Sequence, residues 1–170
     1  IDDEPDVHRA TTFALAGVKI LGRPLQFLHA YSAAEATLLL ASEADVAVVL
    51  LDVVMEREDA GLALVKTIRQ DLRLTELRII LRTGQPGYAP EIETIHDFDI
   101  NDYKTKSELT RTKLYATVTA AVRAYEQIRK LDQLAFYDRL CSLPNRNKFI
   151  DLSDERLLSG QFPSDVIAIL

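Results

Sequence analysis

Apolar residues along the chain follow two periods. Val7, Ala10, Ala14, Val18 and Leu21 recur at helical spacing. Pro5 suits a first helical turn, and Gly22-Arg23-Pro24 suits a stop. Residues 25–30 then read as a short strand. Ser32 and Glu35 have the spacing of a capping box, in which hydroxyl and carboxylate satisfy free backbone donors. The helix they open runs to about Ser42, with Ala36, Leu39 and Leu40 inward. Residues 46–51 are continuously apolar and rich in β-branched side chains, as a strand covered on both faces requires. Residues 59–72 are amphipathic, with Leu62, Val65, Ile68 and Leu72 on one face. Residues 77–81 predict a second buried strand, 84–87 a loop, 91–96 a short helix and 98–103 a weaker strand. From 107 to about 136 one long helix runs without Gly or Pro.

Strands alternating with helices predict a parallel sheet with helices on both faces. In such sheets ligands bind beyond the carboxyl ends of the strands. That rule gathers Asp2 and Asp3 after the first strand, Asp52 at the end of the third, Thr83 at the end of the fourth, and Tyr103 and Lys106 after the fifth. Three carboxylates at one edge repel, and a divalent cation relieves the repulsion. Oxygen-only ligands suit Mg²⁺. A lysine and a threonine hydroxyl beside them suit phosphate oxygens. The set can support in-line phosphoryl transfer to a carboxylate, and Asp52, on a rigid strand among apolar neighbours, is the expected acceptor. Taken singly, each residue has a commonplace alternative: turn former, first-turn acid, strand end, core aromatic or solvated lysine.

Composition narrows the classes. The 170 residues carry 20 Lys and Arg against 26 Asp and Glu, a net charge of −6, which disfavours nucleic acid and anionic membrane as partners. One cysteine, Cys141, excludes an internal disulfide and a cysteine zinc cage. No apolar run approaches the ~18 residues of a membrane span. A soluble, cytoplasmic protein is expected. No Gly-rich run ends in Gly-Lys-Ser/Thr, so a P-loop is absent.

Asp2-Asp3-Glu4, Val48-Val49-Leu50-Leu51-Asp52-Val53-Val54-Met55, Leu81-Arg82-Thr83-Gly84 and Asp102-Tyr103-Lys104-Thr105-Lys106 together resemble the receiver domain of two-component response regulators. Order and intervals both fit, over residues 1–125. The resemblance implies a doubly wound, five-stranded parallel sheet, flavodoxin-like with strand order 2-1-3-4-5. It implies Asp52 as acceptor of a phosphoryl group from a histidine kinase or phosphotransfer protein. Asp2, Asp3, Asp52 and the Val54 backbone carbonyl would hold Mg²⁺, Lys106 would pair with the phosphoryl group, and Thr83 and Tyr103 would be the switch pair. Lys104 competes with Lys106 for its role. The chain departs from the family at Glu56, where proline is usual after Met55; at Gly61, which arrives one residue late; and at Ser107, where proline usually follows the lysine. The rival reading is a pseudo-receiver, an interaction module without phosphoryl transfer. A phosphohydrolase would need a second acid close after Asp52, where Val53, Val54 and Met55 stand instead.

The long helix carries Leu114, Val118, Ala121, Tyr125, Ile128 and Ala135 near a heptad stripe, with Leu131 and Leu134 adjoining. The stretch over 108–136 is expected to be the last receiver helix, whose first half covers the sheet and whose second half extends as a signalling helix that joins two protomers in a homodimer. Residues 134–149, with Asp138-Arg139-Leu140 and Leu143-Pro144-Asn145-Arg146, resemble the opening segment of GGDEF-type diguanylate cyclases. Cys141 and Ser142 replace the usual threonine and glycine, and Pro144 suits a first helical turn. Residues 137–170 would then be the truncated start of a domain that makes cyclic di-GMP, with 166–170 beginning its first strand. With the first strand nearly absent too, the chain is expected to be a piece of a longer protein.

Overall fold

The structure, a computed structural model, describes residues 1–43, 45–84, 99–106, 110–138, 141 and 143–150. It forms two compact units, Ile1–Glu126 and Gln127–Leu170.

In the first unit, helix α1 spans Pro5–Ala14. It stops about two turns before the predicted end because Gly17 adopts φ +71°, a conformation that glycine enters without steric cost. Its inward side chain is His8, followed by Leu15 just beyond its end, whereas Ala10 is exposed and Leu21 is 56% exposed. Of the predicted stripe, Ala14 and Val18 pack against the core, but within the helix the inward position falls at His8, one residue after Val7. Polar His8 and Thr11 make contacts from the inward face, and apolar periodicity does not register such residues.

A short ribbon follows, β1 (Lys19–Ile20) against β2 (Arg23–Pro24). Helix α2 spans Ala33–Ser42. Ser32 Oγ accepts the Glu35 N–H at 3.2 Å, as expected, but Glu35 accepts from the Tyr31 N–H at 2.7 Å. The capping contact thus reaches one residue further back than predicted. Next come β3 (Val48–Asp52), α3 (Ala60–Lys66) with a π-helical turn at Thr67–Asp71, β4 (Arg78–Thr83), β5 (Asp102–Thr105) and the long helix α4 (Arg111–Phe136).

β3, β4 and β5 form a parallel sheet in that order, with Asp52 opposite Arg82 and Leu81 opposite Tyr103. On the free side of β3, the Ile1 nitrogen donates to the Leu50 carbonyl at 2.8 Å, and the Asp52 N–H donates to the Ile1 carbonyl at 3.0 Å. The Asp2 N–H donates outward to the Ala30 carbonyl at 3.2 Å. The ladder itself has three strands, β3-β4-β5, with Ile1 and Asp2 alongside β3 and Ala30 beyond them, the spatial sequence expected of a doubly wound sheet. Residues 25–30 make no ladder, since Asp2 supplies a single rung beside them. β5 begins later than predicted, which puts Tyr103 inside the strand rather than after it.

Both faces of the sheet are covered. Ala36 and Leu40 of α2, with Leu64, Val65 and Ile68 after them, pack on Val49, Leu51, Ile79 and Leu81. Leu15, Ile20, Leu114 and Val118 cover Leu50 on the other side. Each fully buried aliphatic side chain contributes about 1.5–3 kcal/mol, so this double cover is what holds the strand ends in place. The predicted helix at 91–96 and strand at 166–170 lie outside the described residues.

Gly61 closes the loop after β3. Its N–H donates to the Val53 carbonyl at 3.0 Å, and a Cβ there would lie 2.0 Å from the Asp52 carbonyl oxygen. The longer loop noted in the sequence thus still delivers a glycine where backbone meets backbone.

In the second unit, Tyr137 pairs with Pro144 in an antiparallel bridge. Asn145 donates from its backbone to the Phe136 carbonyl at 2.8 Å and from its amide to the Ala135 carbonyl at 2.7 Å. Its Oδ1 accepts from the Asn147 and Lys148 N–H groups at 3.0 and 3.1 Å, capping a short helix at 146–150. Pro144 therefore precedes the cap instead of occupying the first turn. Asp138 accepts from the Cys141 N–H at 3.1 Å.

Gly61→Ala is expected to lower stability by about 1–3 kcal/mol, the usual cost of forcing atoms into a closed contact. A denaturant titration reads this as a lower midpoint; an unchanged midpoint would mean that α3 can retreat from β3.

Candidate functional site

Parallel strands of matched register deliver their carboxyl ends to one edge. Asp52 is the last residue of β3 and is 4% exposed. Asp2, the rung beside it, is fully buried, while Asp3 and Glu4 are exposed. One carboxylate oxygen from each of Asp2, Asp3, Glu4 and Asp52 lies within 4.8 Å of the others. Lys106, immediately after β5, reaches into this group. Its Nζ stands 2.9 Å from Asp52 Oδ2, 3.3 Å from Asp2 Oδ2 and 3.0 Å from Glu4 Oε1. A second cation approaches from within the fold: Arg82, 5% exposed, places a guanidinium nitrogen 3.5 Å from Asp2 Oδ2.

Four carboxylates against two cations leave 4 − 2 = 2 negative charges at one point. The donors are all oxygen, and two of the four acids are exposed to solvent. This set fits a divalent cation of the Mg²⁺ kind, which keeps several waters and takes few carboxylates.

The field of the cluster shows in its proton affinities. Burial pushes the Asp52 carboxyl up, the nearby Asp2 charge adds to this, and the Lys106 hydrogen bond and charge only partly offset it. Burial by itself would lower Lys106. Its hydrogen bonds to Asp52 and Glu4, with the charges of Asp52 and Asp2, prevail and hold the ammonium above its ordinary value. Arg82 is pulled down by burial and restored in part by Asp2 and Asp52.

Of the residues anticipated from sequence, Asp2, Asp3, Asp52 and Lys106 come together. Thr83 ends β4, fully buried, and Tyr103 lies inward on β5 at 4% exposure. Val54 is half-buried two residues past Asp52. Lys104, the competitor, pairs with Asp102 at 3.0 Å, while Lys106 engages the carboxylates.

Three contributors carried no role in the sequence reading. Glu4 shares Lys106. Arg82 had one available signal: an arginine inside an apolar strand is seldom buried unless paired. His8 is the third, at 2.7 Å from Nε2 to the Asp2 carbonyl oxygen. A carbonyl only accepts, so Nε2 carries the proton. Burial lowers the His8 pKa, and its Nδ1 lies 2.9 Å from His29 Nδ1. The imidazole thereby pins the Asp2 backbone to α1.

No protein-family model matches the chain. It is 44% identical over 128 residues to 3'3'-cGAMP-specific phosphodiesterase 2 of Vibrio cholerae, a match that takes in 75% of this chain and 24% of that protein. The chain thus spans about a quarter of that relative's length. Among solved structures, a response regulator receiver domain protein from Methanospirillum hungatei superposes with a TM-score of 0.57 at 23% identity, over 74% of this chain and 93% of that one. The fold is that of a receiver domain. The same receiver fold superposes on an adenylate cyclase from Rhodopirellula baltica with a TM-score of 0.67 at 15% identity, over 79% of this chain and 92% of that one.

Because the folded state raises the Asp52 pKa, protonation favours folding. The penalty is absent below the unfolded value near ~4 and grows as pH rises through the folded value. Asp52→Asn is therefore expected to be more resistant to denaturant than the parent at pH 7, with the gap closing toward pH 4. A parent protein that is the more stable at pH 7 would show that the Lys106 pairing outweighs burial.

Proposed function

We propose that this chain is the receiver of a two-component response regulator, with Asp52 as phosphoryl acceptor. The observation that carries the reading is the Lys106 ammonium bridging Asp52 and Asp2 at 2.9 and 3.3 Å inside an acidic group with two uncompensated charges. In the reaction, an Asp52 carboxylate oxygen attacks the phosphorus of a phosphohistidine on a kinase or phosphotransfer protein. The P–N bond breaks and its electron pair stays with the imidazole. Asp2, Asp3 and Asp52, with the Val54 carbonyl, would hold Mg²⁺, which when bound neutralises charge on the transferring group.

The protein's own groups do the rest. β3 holds the acceptor rigid, as near-attack geometry requires. Lys106 leaves Glu4 and Asp2 for the phosphoryl oxygens, and its raised proton affinity keeps it charged. The Thr83 hydroxyl serves a further oxygen, and Tyr103, on the neighbouring strand, is its switch partner.

The outputs we infer are dimerisation and cyclic-dinucleotide turnover. Leu131 and Leu134 are 66% and 45% exposed on α4, apolar positions suited to a parallel coil with a second copy. Residues 134–149 support a GGDEF-type cyclase as the following domain. The relative named as a cGAMP phosphodiesterase also acts on a cyclic dinucleotide, by a different reaction.

Incubation with phosphoramidate and Mg²⁺ should add one acid-stable, hydroxylamine-labile phosphoryl group per chain, seen by intact mass. EDTA should abolish it, and so should Asp52→Ala. Unlabelled protein at saturating Mg²⁺ would leave a receiver fold that serves only as an interaction module.

A further inference from the structure

Arg82 is the buried group that phosphoryl transfer, as described, does not use. Its side chain is 6% exposed. One terminal nitrogen faces Asp2 Oδ2 at 3.5 Å, the other donates to Thr11 Oγ1 at 3.0 Å, and Nε is buried without a hydrogen-bond partner. A guanidinium has five N–H donors, so this one is only partly satisfied. Burying an ion so incompletely paired is costly, and an apolar side chain of similar volume is often no worse for stability. Its packing role alone does not account for a charge at this position.

The position does. Arg82 is opposite Asp52 in the β3–β4 register and precedes Thr83. Its bond to Thr11 ties the guanidinium to α1, so it stays in place when Lys106 moves. A fixed positive charge here acts in opposite senses on the two ligands of the pocket. It repels an incoming divalent cation, with twice the Coulomb energy it would exert on a monovalent one, and it attracts a phosphoryl dianion.

We propose that Arg82 is a positioning residue that sets the balance of this pocket, an internal cation that weakens divalent-metal binding and strengthens retention of the phosphoryl group. The inference rests on the Mg²⁺-dependent phosphoacceptor reading above. It also accounts for the fourth acid, since Glu4 restores the negative charge that Arg82 cancels.

The test uses the full chain, with Arg82→Met removing the charge and Arg82→Lys keeping it. Calorimetric titration with MgCl₂ alone should give about tenfold or tighter binding for the methionine variant and a near-parental value for lysine. At saturating Mg²⁺, beryllium trifluoride should bind the methionine variant more weakly than the parent. Mg²⁺ should also raise the melting temperature of the methionine variant by more than it raises the parent's. Equal or weaker Mg²⁺ binding by a folded Arg82→Met would overturn the inference. So would a methionine variant that stays unfolded at saturating Mg²⁺, because the metal should then supply the missing charge. If neither parent nor variant binds Mg²⁺, the metal reading of the pocket fails first.

Discussion

Like charges forced together at the end of a rigid sheet are the constraint on which the rest depends. Asp2 and Asp52 are buried side by side because the backbone rung at Ile1 and the β3–β4 register leave them no other position. The hydrophobic cover on both faces supplies the energy that holds them there. Lys106 and Arg82 then relieve part of the repulsion, one from the solvent edge and one from within. What remains is a deficit of positive charge at a defined point. Such a deficit, lined by oxygen donors alone, fits a divalent cation.

The strands locate the chemistry, and the connections tune it. Gly61 lets α3 start in contact with the Asp52 carbonyl, so β3 has no freedom to slide. His8 pins Asp2 to α1 through its backbone, and Arg82 does so through the carboxylate and Thr11. Helix α1 is thus bound to the pocket by two independent polar contacts, in addition to Leu15 in the core.

Much of this was legible in the residues themselves. The apolar runs at 46–51 and 77–81 gave the buried strands, and the rule that ligands gather beyond strand ends brought Asp2, Asp52 and Lys106 to one edge. Three features were not legible, each for a physical reason. The inward face of α1 is built around His8 and Thr11, which an apolar count passes over. The strand at 25–30 depends on a partner rather than on its own sequence, and one rung does not make a ladder. Arg82 stood inside the quoted strand motif, but only packing reveals that its guanidinium turns toward Asp2. The late Gly61 looked like a departure in the sequence; in the fold it meets the β3 backbone directly.

The central claim is a single divalent site between Asp2 and Asp52, and crystals soaked with Mn²⁺ test it most directly. The account predicts one strong anomalous peak in contact with carboxylate oxygens of this group, with Lys106 Nζ displaced from Asp2 and Glu4. An anomalous map without a peak there at millimolar Mn²⁺, with Lys106 still bridging the carboxylates, would contradict it.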